Sequence, residues 1–343
     1  MAVSKDLGID LGTANTIIYS PENGILLNES SMIAYDKYTG EITATGKNAK
    51  EMYGRAPRNI QVIKPLEEGV ISDFDMTAEM LSIFIRTALE DKKASGTRVV
   101  VGVPSGVTEV EKRAVEEVVR QLGSKEVYVI DEPIAAAIGS GMEIEEADAS
   151  MIVDIGGGTS DIAILSLGGI VVNTSLRFAG DNFTETVIAY VRRKMGVLIG
   201  EKTAEFLKVE VGSALIEQDA NGEDIIRTVE ARGRDLVSGL PKVFTVTNKD
   251  MEEALKEAVE TIVDAIKATV EQAPPEIAAD IAESGLMLSG GGSLIENFDK
   301  IINIKTGLAV SKAENPYEAV AIGTGKSLEN IERLRAYADI KIR

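Results

Sequence analysis

The stretches IDLGTANTIIY (residues 9–19) and VDIGGGTSDIAI (residues 153–164) lie over one another in register. Each reads apolar, Asp, apolar, Gly, then small or hydroxyl-bearing residues, then apolar again, within the longer segments 5–20 and 150–166. Period-two alternation broken by glycine predicts a β-hairpin with a glycine turn. The chain is therefore built on an internal repeat, one hairpin in each half.

Between and after the copies the apolar spacing turns helical. Met80, Phe84 and Ala88 with Leu81, Ile85 and Leu89 mark one core-facing stripe, and Val110, Ala114, Val118 and Leu122, closed by Gly123, mark another. A longer helix is predicted over residues 249–272. Its stripe is Met251, Leu255, Val259, Ile262, Ile266 and Val270, with Thr247 or Asn248 as cap and Pro274 and Pro275 as terminators. Strand-like runs at residues 98–103 and 127–130 alternate with these helices, so the fold class is α/β. Residues 32–70, rich in turns, and residues 180–246 interrupt this rhythm at equivalent places after each copy and read as small subdomains capping two lobes. A length of 343 residues agrees, being too long for one ordinary core and suited to two of about 150.

A net charge of −19 gives no basic footprint, so nucleic acid is not an expected partner, and self-repulsion opposes the association of like subunits at low salt. The sequence has no Cys and no His, which removes disulfides, thiolate chemistry and the usual zinc and transition-metal ligands. Only a hard, oxygen-ligated cation fits. The opening MAVSKDLGIDLG lacks the regions of a secretory signal, so a cytoplasmic location is expected. The apolar window 151–172 carries Asp154, Asp161 and five glycines and is no candidate for a membrane span.

Binding a phosphate chain without a lysine clamp takes several backbone N–H donors close together, and small side chains let the main chain approach. Gly12, Thr13, Ala14 and Asn15 of the first copy and Gly156, Gly157, Gly158 and Thr159 of the second would face one another across a cleft holding a nucleoside triphosphate. Asp10 and Asp154, matched just before the turns, are placed to hold the water shell of Mg²⁺. A third glycine cluster, Gly290, Gly291, Gly292 and Ser293, is expected to follow a strand ending at Ser289 and to open a helix near Ser293 with its N–H groups presented. Glu132, at a strand end before Pro133, would orient an attacking water with Thr159 as hydroxyl partner. The run AIGTGKS (residues 321–327) imitates the end of a P-loop, but the glycine a P-loop needs is Val320 here and the preceding residues are helical. A Rossmann fingerprint fails too, since Asp161 stands where the third glycine belongs.

The motifs IDLGTANT, VIDEPIAAAIG, VDIGGGTSDIAI and LSGGGSLIENFD resemble the phosphate-1, connect-1, phosphate-2 and adenosine motifs of the actin superfamily, and within it the MreB/Mbl family. The resemblance runs almost end to end through GVISDFD (69–75), VGVPSGVTEVEKRAV (101–115), RGRDLVSGLPK (232–242) and PPEIAADI (274–281). It implies an actin-like fold and ATP with Mg²⁺ in the interlobe cleft. ATP would contact Thr13, Ala14, Asn15, Gly156, Gly157, Gly158, Glu205, Lys208 and residues 290–293, with Glu205 and Lys208 near the ribose and base. It implies four subdomains: IA (1–31, 71–143 and 326–343), IB (32–70), IIA (144–179 and 247–325) and IIB (180–246). It implies a subunit that stacks head to tail with copies of itself, hydrolyses ATP slowly, and meets the inner face of the membrane and envelope or cell-shape proteins.

Two departures from the family stand out. The second hairpin reads GGGTSD, where the family pattern has two threonines and a glutamate, so Asp161 is one methylene shorter. The first-lobe loop DKKASGTR (91–98) has no apolar tip for a membrane, which leaves the basic, partly apolar tail ERLRAYADIKIR (332–343) as the expected anchor. Alternatives within the superfamily are a filament scaffold with little hydrolysis and a small-molecule kinase. A chaperone ATPase would need a linker and a substrate domain.

Overall fold

The structure is a computed structural model and describes residues 6–90 and 96–329. The first copy of the repeat forms β1 (Asp6–Leu11) and β2 (Asn15–Ser20), an antiparallel pair that β3 (Gly24–Ser30) extends into a meander. An insertion follows, with β4 (Ile33–Asp36), β5 (Ile42–Thr45), α1 (Gly46–Met52) and β6 (Ile60–Ile63), its strands ordered β5-β4-β6. A short ribbon, β7 (Leu66–Glu67) and β8 (Val70–Ile71), leads into α2 (Phe74–Ala88), β9 (Arg98–Val103), α3 (Glu109–Gln121) and β10 (Glu126–Asp131). β9 runs parallel to both β1 and β10, so the first large sheet is ordered β10-β9-β1-β2-β3.

After α4 (Glu132–Gly139) the pattern repeats with β11 (Ser150–Ile155), β12 (Ser160–Ser166) and β13 (Gly169–Leu176). The second insertion holds α5 (Gly180–Tyr190), a π-helical turn at Val191–Met195, β14 (Val197–Leu198), α6 (Glu201–Val211), β15 (Thr228–Asp235) and β16 (Pro241–Thr247). Then come α7 (Asn248–Glu271), α8 (Pro275–Ser284), β17 (Leu286–Ser289), α9 (Phe298–Thr306), β18 (Val310–Lys312) and α10 (Ala319–Ser327). The second large sheet is ordered β13-β12-β11-β17-β18. Both sheets thus join a three-stranded meander from the repeat to two parallel strands reached by crossovers.

Each lobe has its own core. One is centred on Ile9, Met80, Phe84 and Val101, the other on Val153, Phe183, Leu255 and Phe298. A third cluster lies between the two sheets, where Val100 and Ile130 of one and Ile152, Ala163 and Leu165 of the other enclose the alanines of α4. Helix α4 crosses α10 with almost no side chain between them: a Cβ on Gly323 would lie 1.7 Å from the Ala135 carbonyl oxygen, and one on Gly139 1.8 Å from that of Ala319. Only glycine permits such an approach.

Three expectations change. In α3 the buried face is Val115, Val118 and Val119 while Val110 is 75% exposed, because the first turn after the Thr108 capping box points to solvent. No helix opens at Ser293: Gly291–Leu294 is a single 3₁₀ turn, and α9 starts only at Phe298 after Asn297 in the left-handed region. The last described helix, α10, begins at Ala319, ahead of residue 326. Helix α10 lies on the first sheet, with Gly8 against Gly325, Gly102 against Val320 and Gly325 against the Tyr19 ring. That helix also contains AIGTGKS, whose Ser327 hydroxyl donates to the Gly323 carbonyl, so no phosphate loop forms there. Helix α7 begins where expected, with Thr247 and Asp250 as a capping box. No helix among the described residues is long and apolar enough to cross a membrane. Most of the DKKASGTR loop and the basic tail lie outside the described residues.

Candidate functional site

The two glycine turns meet at the cleft. The first is braced by Ser31, whose amide donates to the Ala14 carbonyl at 3.0 Å and whose hydroxyl donates to that of Gly12 at 2.6 Å. The second is braced by α5, since the Gly180 and Asp181 amides donate to the Gly156 and Gly157 carbonyls. A Cβ on Gly157 would come within 2.6 Å of the Ala14 Cβ and one on Gly158 within 2.5 Å of the Thr13 hydroxyl, so any larger residue would fill the space between the lobes. Among the described residues no acceptor is paired with the amides of Thr13, Ala14, Gly157 and Gly158. Free donors on two facing turns are a candidate anion cradle.

Asp10 and Asp154 are the penultimate residues of equivalent strands, β1 and β11. Burial, then the Asp154 charge, pushes the Asp10 carboxyl up to about 8. Burial pushes Asp154 up to about 7, with the Ser289 hydroxyl easing and the Asp161 charge adding to the shift. Glu132, at the start of α4 and 7% exposed, is raised well above the usual carboxylate range by burial and then by Asp161, Asp10 and Asp154. One oxygen each of Asp154 and Asp161 is buried with no hydrogen-bond partner. Free turn donors beside two buried carboxylate oxygens without partners are chemistry that fits an anionic ligand accompanied by a cation.

These carboxyls bind protons more tightly in the folded protein than in the unfolded chain. Their contribution to stability is therefore full in acid and is lost as the pH rises through about 7 to 8. The ligand-free protein is expected to lose melting temperature between pH 6 and pH 8.5, and Asp154→Asn to lose less. Thermal unfolding at low ionic strength measures it, and a flat profile in the wild type would count against this arrangement of charges.

Thr159 closes the second turn and is buried beside Gly69, where a Cβ would touch its methyl at 2.8 Å. Glu68 and Gly69, both at positive φ, form the turn of the β7–β8 ribbon, and the Gly69 amide donates to the Thr13 hydroxyl at 2.8 Å. Glu205 and Lys208 lie on α6. The Lys208 ammonium bonds the Gly180 carbonyl and the Thr184 hydroxyl, each at 2.9 Å, and pairs with Glu205 at 2.6 Å. Burial opposes the Glu205 charge, but Lys208 and the Thr184 hydroxyl outweigh it and hold the carboxyl below its usual range. Gly290 and Gly292 pack directly on Ile155 at the end of β11, and the Ser293 hydroxyl donates back to the Gly290 carbonyl at 2.7 Å. Asn15 begins β2 and bonds Asn28.

Sequence reading missed several cleft residues. Tyr317 lies over Gly291, its hydroxyl pushed up to about 12 by burial and then by the Asp10 and Glu205 charges. Lys64 of the first insertion pairs with Asp181 at 3.3 Å and Glu201 at 3.4 Å of the second, so the two caps are bridged over the cleft. Ser105, which touches Asp161, lies in a turn after β9. Their only sequence signal was proximity to strand ends and helix starts.

Two lobes built on one duplicated sheet, each presenting a glycine turn and an acidic strand end to a shared cleft, define an actin-like protein. The chain belongs to the MreB/Mbl protein family, whose sequence model matches residues 4–336. It is 45% identical over 331 residues to the cell shape-determining protein Mbl of Bacillus subtilis, covering 96% of this chain and 98% of that one. It is 46% identical over 334 residues to the cell shape-determining protein MreB of Escherichia coli, covering 96% and 94%. Among solved structures, MreB 5 of Spiroplasma citri bound to AMPPNP matches with a TM-score of 0.90 at 35% identity, over 96% of this chain and 97% of that one.

Proposed function

We propose that this chain binds Mg-ATP between its lobes, stacks head to tail into filaments, and hydrolyses the nucleotide slowly as part of a cell-shape scaffold at the inner face of the membrane. The observation that carries the reading is the juxtaposition, in one cleft, of unengaged turn amides and two carboxylates that each keep one buried oxygen without a hydrogen bond. The names of the relatives, and the AMPPNP bound to one of them, support it. Its working units are four subdomains bounded as the family implies, except that residues 319–325 join the first lobe.

In this reading the amides of Thr13, Ala14, Gly157 and Gly158 hold phosphate oxygens. Asp10 and Asp154 hold a Mg²⁺ ion through its waters, and that ion supplies charge neutralisation for the phosphates. Glu132 is the proton acceptor: desolvated, it is a stronger base once ionised, and Thr159 orients the water. Glu205 and Lys208, fixed to one another and to α5, form a rigid wall for the ribose and base.

The test is calorimetric titration of ATP with and without Mg²⁺. Wild type is expected to bind, with Asp10→Ala and Asp154→Ala each losing at least about tenfold in affinity with Mg²⁺, roughly 1.4 kcal/mol, and electron microscopy to show filaments with Mg-ATP. Unchanged affinity in both variants would remove the site.

A further inference from the structure

The repeat exposes one asymmetry. Across the first hairpin Asp10 is paired with Ile17, and across the second Asp154 is paired with Asp161. Asp161 thus occupies the slot in which the first lobe buries Ile17, and both are 1% exposed. A carboxylate buried where the other copy has an isoleucine bears a desolvation cost, which directs attention to what it does.

Its contacts cross the cleft. The Ser105 amide and hydroxyl both donate to Oδ1 of Asp161, at 2.9 and 2.6 Å. Ser105 belongs to the first lobe, in the turn after β9 that the Val107 amide closes onto the Pro104 carbonyl. The adjoining Gly106 lies so near Ser175 of β13 that a Cβ would approach the serine to 2.8 Å, so the turn is seated firmly on the second lobe. The other oxygen, Oδ2, is buried without a hydrogen bond, although the Ser175 hydroxyl lies close enough to favour the charge. Asp161 is also the strongest of the acidic neighbours acting on Glu132.

We propose that Asp161 is a further catalytic residue, a second acceptor for the hydrolytic water beside Glu132, and that Ser105 is the positioning residue that aims it only when the lobes are together. The proposal rests on the hydrolysis reading above. As the water oxygen bonds to the γ-phosphorus, one water proton passes to Glu132, and the bond from phosphorus to the bridging oxygen breaks with its electron pair leaving on ADP. Asp161 holds the second proton, which stays on the phosphate formed. Closure and chemistry are thereby coupled through one hydrogen-bonded pair.

The test is steady-state phosphate release by Ser105→Ala, Asp161→Asn, Asp161→Glu and the Ser105→Ala/Asp161→Asn double variant, with thermal unfolding confirming that each folds. Asparagine keeps the oxygen that Ser105 needs and replaces the unpartnered acceptor by a donor. Asp161→Asn is expected to lose at least about tenfold in kcat with KM within about twofold, Ser105→Ala about threefold, and the double variant no more than Asp161→Asn alone. Asp161→Glu is expected to recover part of kcat. An unchanged kcat in Asp161→Asn, or losses that simply add, would overturn the proposal. If the wild type releases no phosphate, the hydrolysis reading is what fails, and the pair is then judged by closure. With Thr39→Cys and Asn221→Cys carrying dyes on a chain that has no other cysteine, AMPPNP is expected to shorten the distance in the wild type but not in Asp161→Ala. Equal shortening in both would overturn the pair.

Discussion

Alanine at Glu132 is expected to leave ATP bound while slowing phosphate release at least about tenfold, roughly 1.4 kcal/mol of barrier, and to raise the melting temperature of the ligand-free protein. The two effects have one cause. Glu132 is a buried carboxyl whose charge is opposed by desolvation and by four other acids, so the folded protein bears a cost for keeping it. Removing it relieves that cost and removes the proton acceptor. Opposite changes in stability and turnover are the signature of a residue kept for function. Single-turnover phosphate release and calorimetric binding measure the first effect and thermal unfolding at pH 8 the second. Wild-type turnover, or a loss of stability with binding also lost, would show Glu132 to be a packing residue.

A second large effect is expected far from any chemistry. At Gly323 even one methyl group would stand 1.7 Å from the Ala135 carbonyl oxygen, with backbone on both sides and no flexible side chain to give way. Gly323→Ala must push α10 off α4, and the expected loss is about 3 kcal/mol or more, at the upper end for overpacked cores. A fall of about 4 °C or more in melting temperature follows for a protein of this size. Gly200→Ala is the matched control, because its backbone has ordinary φ and open space around it. Equal melting temperatures for the two variants would mean that the helices separate easily.

Much of this was legible in the sequence, for identifiable reasons. The hairpins were visible because a duplicated pattern repeats its own evidence, and α7 because its stripe, cap and terminating prolines agree. The carboxylates Asp10, Asp154 and Glu132 were found through strand ends and a Pro-led helix start, which are local signals. What stayed hidden depends on distant stretches of the chain coming together: Ser105 with Asp161, Lys64 with Asp181 and Glu201, and Thr13 with Gly69 join residues 56 or more positions apart. The misplaced helix at Ser293 has a different origin. Three glycines and a serine satisfy the rule for an anion-binding helix start, but Gly290 takes positive φ and packs on Ile155, so the chain spends that stretch in a tight turn. Val110 was misread because period alone does not say which face of a helix meets the sheet.

The crossing of α4 and α10 gives the molecule a mechanical property. Helix α4 is about 12 Å long by its residue count, lies between the two sheets, and carries Glu132 at one end and Gly139, pressed to α10, at the other. Backbone laid on backbone, from Ala135 to Gly139, has no interlocking side chains to disengage, so the crossing is a pivot for α4. A tilt of roughly 10° about it moves Glu132 by about 1 Å, and a misplacement of that order is enough to cost a reaction as much as a hundredfold. In the hydrolysis reading proposed above, the rigid-body angle between the lobes sets the rate, with no loop required to open or close.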